Sequence, residues 1–436
     1  VGSEMCIRDR GMENMEIVLV NARSGEQIPV TSTTDAVSDL SPRFSRDGKY
    51  IAFTRSPSAL TGVIHVMEID LDSPAMGRSW TLPKATPWNA EPEWSLDGKE
   101  LIFSTGRWPR VNLWSVAADG KGEPKPLAGA GQGGSQPSIA PLTYPGSPDG
   151  HWHLAYTVVE LENDIWQFEL QDSTHQHPFL SSSQRERFPS YSVDGRIAFL
   201  SDRSGHREVW VADIDGEQWQ QWTDWQSAYI WRPSFSPDGL LLAYSVEIDH
   251  VSKLHIQDGP LAPARLLTLD DGNDVDLAWS REGRTIYAFA TNRGDSGPAV
   301  WAYDIGDSGP RQVIEGTFLP LGEDPTSKWL FMKRSDPGGD TLERLELATG
   351  ELETLELDGM DLHSHTIGPD GVYFVTSAEA HWEIHRWDWN TGEQIFVRSL
   401  EQEPETGMAI SPDGQHALLS RITLQRSDLM VVDGAN

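Results

Sequence analysis

Residues 231–246 read WRPSFSPDGLLLAYSV, the clearest copy of a unit that extends to Gly259 and returns along the whole chain. A Pro and an aromatic residue lead into Ser-x-Asp-Gly, and an apolar run follows. Asp238-Gly239 is a hairpin signal, because Gly accepts positive φ and Asp hydrogen-bonds its own backbone in tight turns. The flanks PSF and LLLAYSV are short, apolar or aromatic, and bounded by turn residues, so both read as strands.

The turn acid recurs at Asp47, Asp97, Asp149, Asp194, Asp238, Asp370 and Asp413, with Glu282 as a stand-in. Successive gaps are 50, 52, 45, 44, 44, 88 and 43 residues. The 88-residue gap is twice 44, which predicts a degenerate ninth heading near Asp324, with KWLFMKR (Lys328–Arg334) as the strand behind it. Further strands follow each heading, such as Glu208–Ile214 and the more polar Gln218–Thr223. Three to four antiparallel strands every ~40–50 residues is the pattern of a β-propeller blade. The predicted fold is therefore all-β, a propeller of eight or nine four-stranded blades.

The last unit, Glu405–Asp433, stops after its third strand, and Glu16–Thr31 carries outer-strand sequence with no heading before it. Pairing between N- and C-terminal strands is the expected closure, since it removes exposed edges. Residues 16–434 are read as a single propeller domain. Residues 1–15 are set aside: VGSEMCIRDR resembles translated adapter sequence, so the one cysteine, Cys6, lies outside the fold and the natural N-terminus lies upstream.

The chain has 436 residues and a formal net charge of −32. That charge argues against gripping phosphate backbones, which requires clustered Lys and Arg. It suits a self-repelling domain with cationic partners. No apolar run approaches the ~20 residues of a membrane-spanning helix.

PRFSRDGKYIAF (Pro42–Phe53), PEWSLDGKELIF (Pro92–Phe103), PSFSPDGLLLAY (Pro233–Tyr244) and SDRSGHREVWVADIDG (Ser201–Gly216) resemble the WD40-like repeat of TolB-type propellers. The resemblance covers residues 16–434 and implies the fold; fold alone does not fix function. Thr33–Ser56 and the terminal Ser411–Asp433 also resemble the sensor propeller of bacterial winged-helix transcriptional regulators, although DLMVVDGAN departs from that family's last strand. The family resemblance implies a non-enzymatic, periplasmic or extracytoplasmic propeller that binds a ligand or protein as the sensor part of a larger regulator. The alternatives are a TolB-like periplasmic scaffold of the cell envelope, and the propeller of a prolyl-oligopeptidase-type peptidase without its hydrolase domain.

Catalytic signatures are weak. Two GDSGP stretches, Gly294–Pro298 and Gly306–Pro310, lack the final Gly of the serine-protease motif and fall in loops. No G-x-S-x-G elbow, Walker A or HExxH is present. Asp270–Asp276 departs from a calcium loop at its fifth and sixth places. Among the H-x-H pairs, His151/His153, His175/His177 and His363/His365, no closed ligand set is apparent. The best metal candidate is His381, Glu383 and His385, which alternate onto one strand face. No cofactor is expected. The Trp cluster Trp210, Trp219, Trp222, Trp225 and Trp231 is read mainly as inter-blade packing, with Trp225 and Trp231 as candidate exceptions.

In a propeller the first strand of each blade lines the channel. Counting back from each heading gives a ring of Ser41, Glu91, Gln136, Phe188, Arg232, Asp276, Ser364 and Gly407, with Arg187, Trp231 and His363 one step earlier. The candidate ligand-binding residues at the channel mouth are Glu91, Gln136, Arg187, Trp231, Arg232, Asp276, His363 and Ser364, suited to a protein or a small polar or peptide ligand. Arg187, Trp231 and Arg232 form the strongest expected corner.

Overall fold

A computed structural model describes the chain apart from residues 1–2, 9–14, 22, 34–36, 59–60, 71–76, 87, 108–109, 131–132, 142–150, 173, 227–228, 249–250, 269–272, 292–296, 307–308, 337–338, 358–363, 379–380 and 436. All regular structure among the described residues is β-strand, arranged in nine antiparallel sheets. Among the described residues no helix is long and apolar enough to cross a membrane. The chain divides into two compact units, Val1–Glu160 with Gln425–Asn436, and Leu161–Leu424.

At Asp47, Asp97, Asp194, Asp238 and Asp413 the heading turn is built alike. The serine hydroxyl donates to the aspartate, at 2.7 Å for Ser45–Asp47, 2.8 Å for Ser95–Asp97 and 2.6 Å for Ser411–Asp413. The same carboxylate accepts the amide two residues on, as Asp238 does from Leu240 at 3.0 Å. Gly239 sits at φ 72°, a region closed to most side chains. The degenerate heading is where the spacing places it. Asp324 gathers the amides of Thr326, Lys328 and Trp329, Ser327 takes the glycine's place at φ 55°, and strand Trp329–Asp336 follows.

In the first unit, Glu16–Asn21 lies between Ser3–Arg8 and Gln27–Pro29. Two four-stranded sheets begin at Ser38–Phe44 and Asn89–Trp94 and pack through Leu82, Trp94 and Phe103. Gly134–Pro141 pairs with residues 152–158.

The second unit holds six blades. Five are continuous in sequence, with inner strands Glu186–Tyr191, Tyr229–Phe235, Asn273–Trp279, Phe318–Glu323 and His365–Ile367. The sixth is composite: Met408–Ile410 pairs with Ala417–Leu419, residues 416–424 pair in turn with residues 161–169, and Gln176–Leu180 forms the outer edge. The Leu170 amide donates to the Gln415 carbonyl at 2.9 Å within that junction. The six inner strands then touch in an unbroken cycle. Closure thus follows the expected logic of two incomplete ends, with different strands: residues 161–169 supply the third strand, and Glu16–Asn21 is engaged elsewhere. The junction is apolar on both sides. Phe168 and Leu419 pack against Tyr373 and Ile384, while Ile165 and Leu418 pack against Ile197 and Phe199.

Leu418 is fully buried in this closing seam, whereas Leu240 is 67% exposed at a turn. Leu418→Ala is expected to cost about 2–5 kcal/mol and Leu240→Ala less than about 0.5 kcal/mol, measured by urea unfolding. Equal midpoints for the two variants would remove the seam from any account of stability.

Candidate functional site

Five of the eight ring positions counted back from the headings turn out to be backbone bulges. Ser41, Glu91, Gln136, Phe188 and Arg232 have φ of 50°, 55°, 52°, 54° and 32°, and each precedes a Pro. In each case the ladder register shifts so that the X-Pro pair opposes one aromatic residue of the next strand. Those aromatics are Phe53, Phe103, Tyr156, Phe199 and Tyr244, all buried. A bulge leaves one residue unpaired, which suits a Pro that has no N–H to offer. The left-handed residue ahead of it has its side chain re-aimed out of the strand's ordinary alternation.

In the second unit the six inner strands enclose a cavity of about 320 Å³. Phe188, Arg232, Asp276, Glu323 and His365 line it, with Gly407 at the composite blade. Arg232 Nε lies 3.4 Å from Asp276 Oδ1, and its guanidinium stands 5.7 Å from the Phe188 ring centre. Burial pushes the Asp276 carboxyl upward, against the pull of Arg232 and Lys333. Glu323 accepts from the Tyr287 hydroxyl at 2.8 Å and from the Arg281 amide at 3.2 Å. The wall is therefore mixed: one aromatic face, one ion pair and one anchored carboxylate.

The other expected mouth residues divide. Arg187 turns from the cavity to Thr406 Oγ1 at 2.6 Å and Glu405 at 3.0 Å. Ser364 is fully buried and donates to the Glu405 carbonyl at 3.0 Å. Trp231 packs on Tyr229, centroids 4.6 Å apart, and its indole N–H meets Glu247 at 3.4 Å. The expected corner of Arg187, Trp231 and Arg232 thus contributes only Arg232 to the cavity wall. Glu91 and Gln136 meet each other in the first unit, where the Gln136 amide donates to Glu91 Oε2 at 2.8 Å. His363 lies outside the described residues. Glu323 was missed because the degenerate heading beside it lacks the Ser-x-Asp-Gly signature.

His381, Glu383 and His385 do share a face, but as a hydrogen-bonded triplet. The two Nε2 atoms meet separate oxygens of Glu383 at 2.9 and 2.8 Å, and Gln394 meets His385 Nδ1 at 3.0 Å. Among the described residues, the group whose ligand atoms lie within 4.8 Å of one another is instead Glu169, Asp172 and His175. It sits at an exposed turn where Thr174 and His175 bond Asp172 and hold its carboxyl at about 2. Residues 294–296 and 307–308 of the GDSGP stretches, and 269–272 of the Asp-rich turn, lie outside the described residues. Trp225 packs against His255, 4.8 Å between centroids, and Trp222 is buried with Phe235, so both serve packing.

No family model matches the sequence. A protein TolB homolog of Chlorobium chlorochromatii is 34% identical over 97 residues, 22% of this chain and 21% of that one. The Tol-Pal system protein TolB of Anaeromyxobacter dehalogenans is 30% identical over 117 residues, 26% of each chain. The chain spans between about a fifth and two fifths of the length of the curated relatives it matches. The crystal structure of TolB from Acinetobacter baumannii aligns over 90% of this chain and 82% of that one, with 13% identity and a TM-score of 0.43.

Glu186, at the start of an inner strand, is fully buried and accepts from Ser182 at 2.8 Å and Ser201 at 3.0 Å. Burial pushes its carboxyl up to about 7. A raised carboxyl favours the folded state at low pH, and that contribution is lost as pH climbs from about 4.5 to about 7. Glu186→Gln is expected to flatten the profile, gaining stability relative to the parent by up to about 3 kcal/mol above pH 7. Urea midpoints at pH 5 and pH 8 check this; an unchanged difference between the two pH values would refute it.

Proposed function

We propose that the chain is a non-enzymatic, TolB-like binding propeller that works outside the cytoplasm and receives a protein partner at the channel of residues 161–424. The observation that carries this reading is the cavity wall itself. An aromatic face at Phe188, the Arg232–Asp276 pair and the anchored Glu323 suit a polypeptide segment with an apolar side chain and polar flanks. Similarity to TolB sequences supports the scaffold reading over the sensor reading, which rests on the Thr33–Ser56 and Ser411–Asp433 stretches. With a net charge of −32, the partner segment is expected to be basic.

A photo-crosslinking residue placed at Phe188 tests the reading in the full chain, incubated with an envelope extract from a bacterium carrying the gene. The expected result is one discrete adduct, absent when the label sits at Val193, a turn residue 60% exposed. The adduct should weaken as salt rises from ~50 to ~300 mM, as screening of a charged encounter requires. Labelling at Val193 equal to that at Phe188 would overturn the channel as the docking place.

A further inference from the structure

The lead-in to the inner strand Glu186–Tyr191 gathers more cationic charge than its surroundings neutralise. Arg185, Arg187 and Arg207 have side chains only 6%, 14% and 9% exposed. Among the described residues, two carboxylates lie within 4.0 Å of them. Glu405 lies 3.0 Å from Arg187 and 3.7 Å from Arg185, and Asp202 lies 3.8 Å from Arg207. Both oxygens of Glu405 are engaged, because Asn163 donates to the second one while accepting from Arg185 Nε at 2.8 Å. One positive charge is left over.

The donor inventory agrees with the charge. Among the described residues, Arg187 Nε and Arg207 Nη1 are shut off from solvent and meet no acceptor. The Tyr229 ring, 4.0 Å from the Arg207 guanidinium, covers that side chain. A buried N–H on a charged group without an acceptor is costly, and a guanidinium fork is shaped for a planar pair of oxygens. Burial pushes the Arg187 guanidinium down to about 10; Glu405 opposes this, while Arg185 and Arg207 add to it. An added anion would relieve the crowding.

We infer that Arg187 and Arg207 form a binding site for a carboxylate, set apart from the cavity wall that holds Arg232 and Asp276. The single uncompensated charge selects a monoanion, so a carboxylate neutralises the site while a phosphate dianion overshoots it. Glu405 is the most exposed member of the cluster, at 20%. The site does not rest on the channel reading, and its test needs no partner protein.

The test uses the full chain and three sodium salts matched in ionic strength: acetate, inorganic phosphate and chloride. The thermal midpoint should rise saturably with acetate and stay level between phosphate and chloride, since a ligand held by the native state alone stabilises it by mass action. Arg187→Gln and Arg207→Gln should each raise the half-saturating acetate concentration at least tenfold. Arg207→Lys keeps the charge without the fork, and should fold like the parent while binding more weakly. Saturation of labelled acetate, followed by NMR on the parent protein, gives a readout independent of variant folding. An acetate effect no larger than that of chloride would overturn the site, leaving water as the filler. So would an equal response to phosphate, or variants that bind acetate like the parent.

Discussion

The ladder between residues 161–169 and 416–424 is the contact that makes the second unit a ring. Without it residues 161–169 and 416–424 would each present an unpaired row of N–H and C=O groups, and two apolar clusters would lie open. Those clusters are large: Phe168, Leu419 and Ile384 on one side, Ile165, Leu418 and Phe199 on the other. The main-chain bonds set register, and the apolar seam supplies the driving force that makes the register hold. Every residue of the cavity wall depends on this junction, since Gly407 and Met408 take their places from it.

The second constraint is the X-Pro bulge. A Pro inside a strand is tolerated where the ladder asks nothing of its nitrogen, and a bulge provides that. The residue ahead of the Pro turns left-handed, and the pair settles opposite one buried aromatic. The same device recurs in both units, at Ser41, Glu91 and Gln136 in one and at Phe188 and Arg232 in the other. In the second unit it brings Phe188 and Arg232 to the cavity, where Asp276 meets the guanidinium. A packing rule and a site are thus written by one short motif.

Much of this was legible in the sequence. The Ser-x-Asp-Gly turn advertises itself through residue types whose hydrogen bonds are local, so even the eroded copy at Asp324 could be located by spacing. Counting back from the headings found Phe188, Arg232 and Asp276. What a period cannot convey is where a ring begins, because a repeat spacing marks no start; the choice falls to residues 161–169, whose pairing partner lies some 250 positions away. The direction of Arg187 was also hidden. It is adjacent to the bulge, and only the register shift decides that it turns to Glu405 while Phe188 faces the cavity.

A wheel whose last spoke is shared between distant stretches of chain is assembled late. The five continuous blades can pair their own strands as they leave the ribosome, since each needs only neighbours within some 45 positions. The shared one must wait until position 424 has been made, with Ile165, Phe168 and Leu170 uncovered in the meantime. Such long-range pairing is slow and exposes sticky edges while it is pending. During synthesis, the stretch that opens the ring is therefore the one most in need of a chaperone's protection.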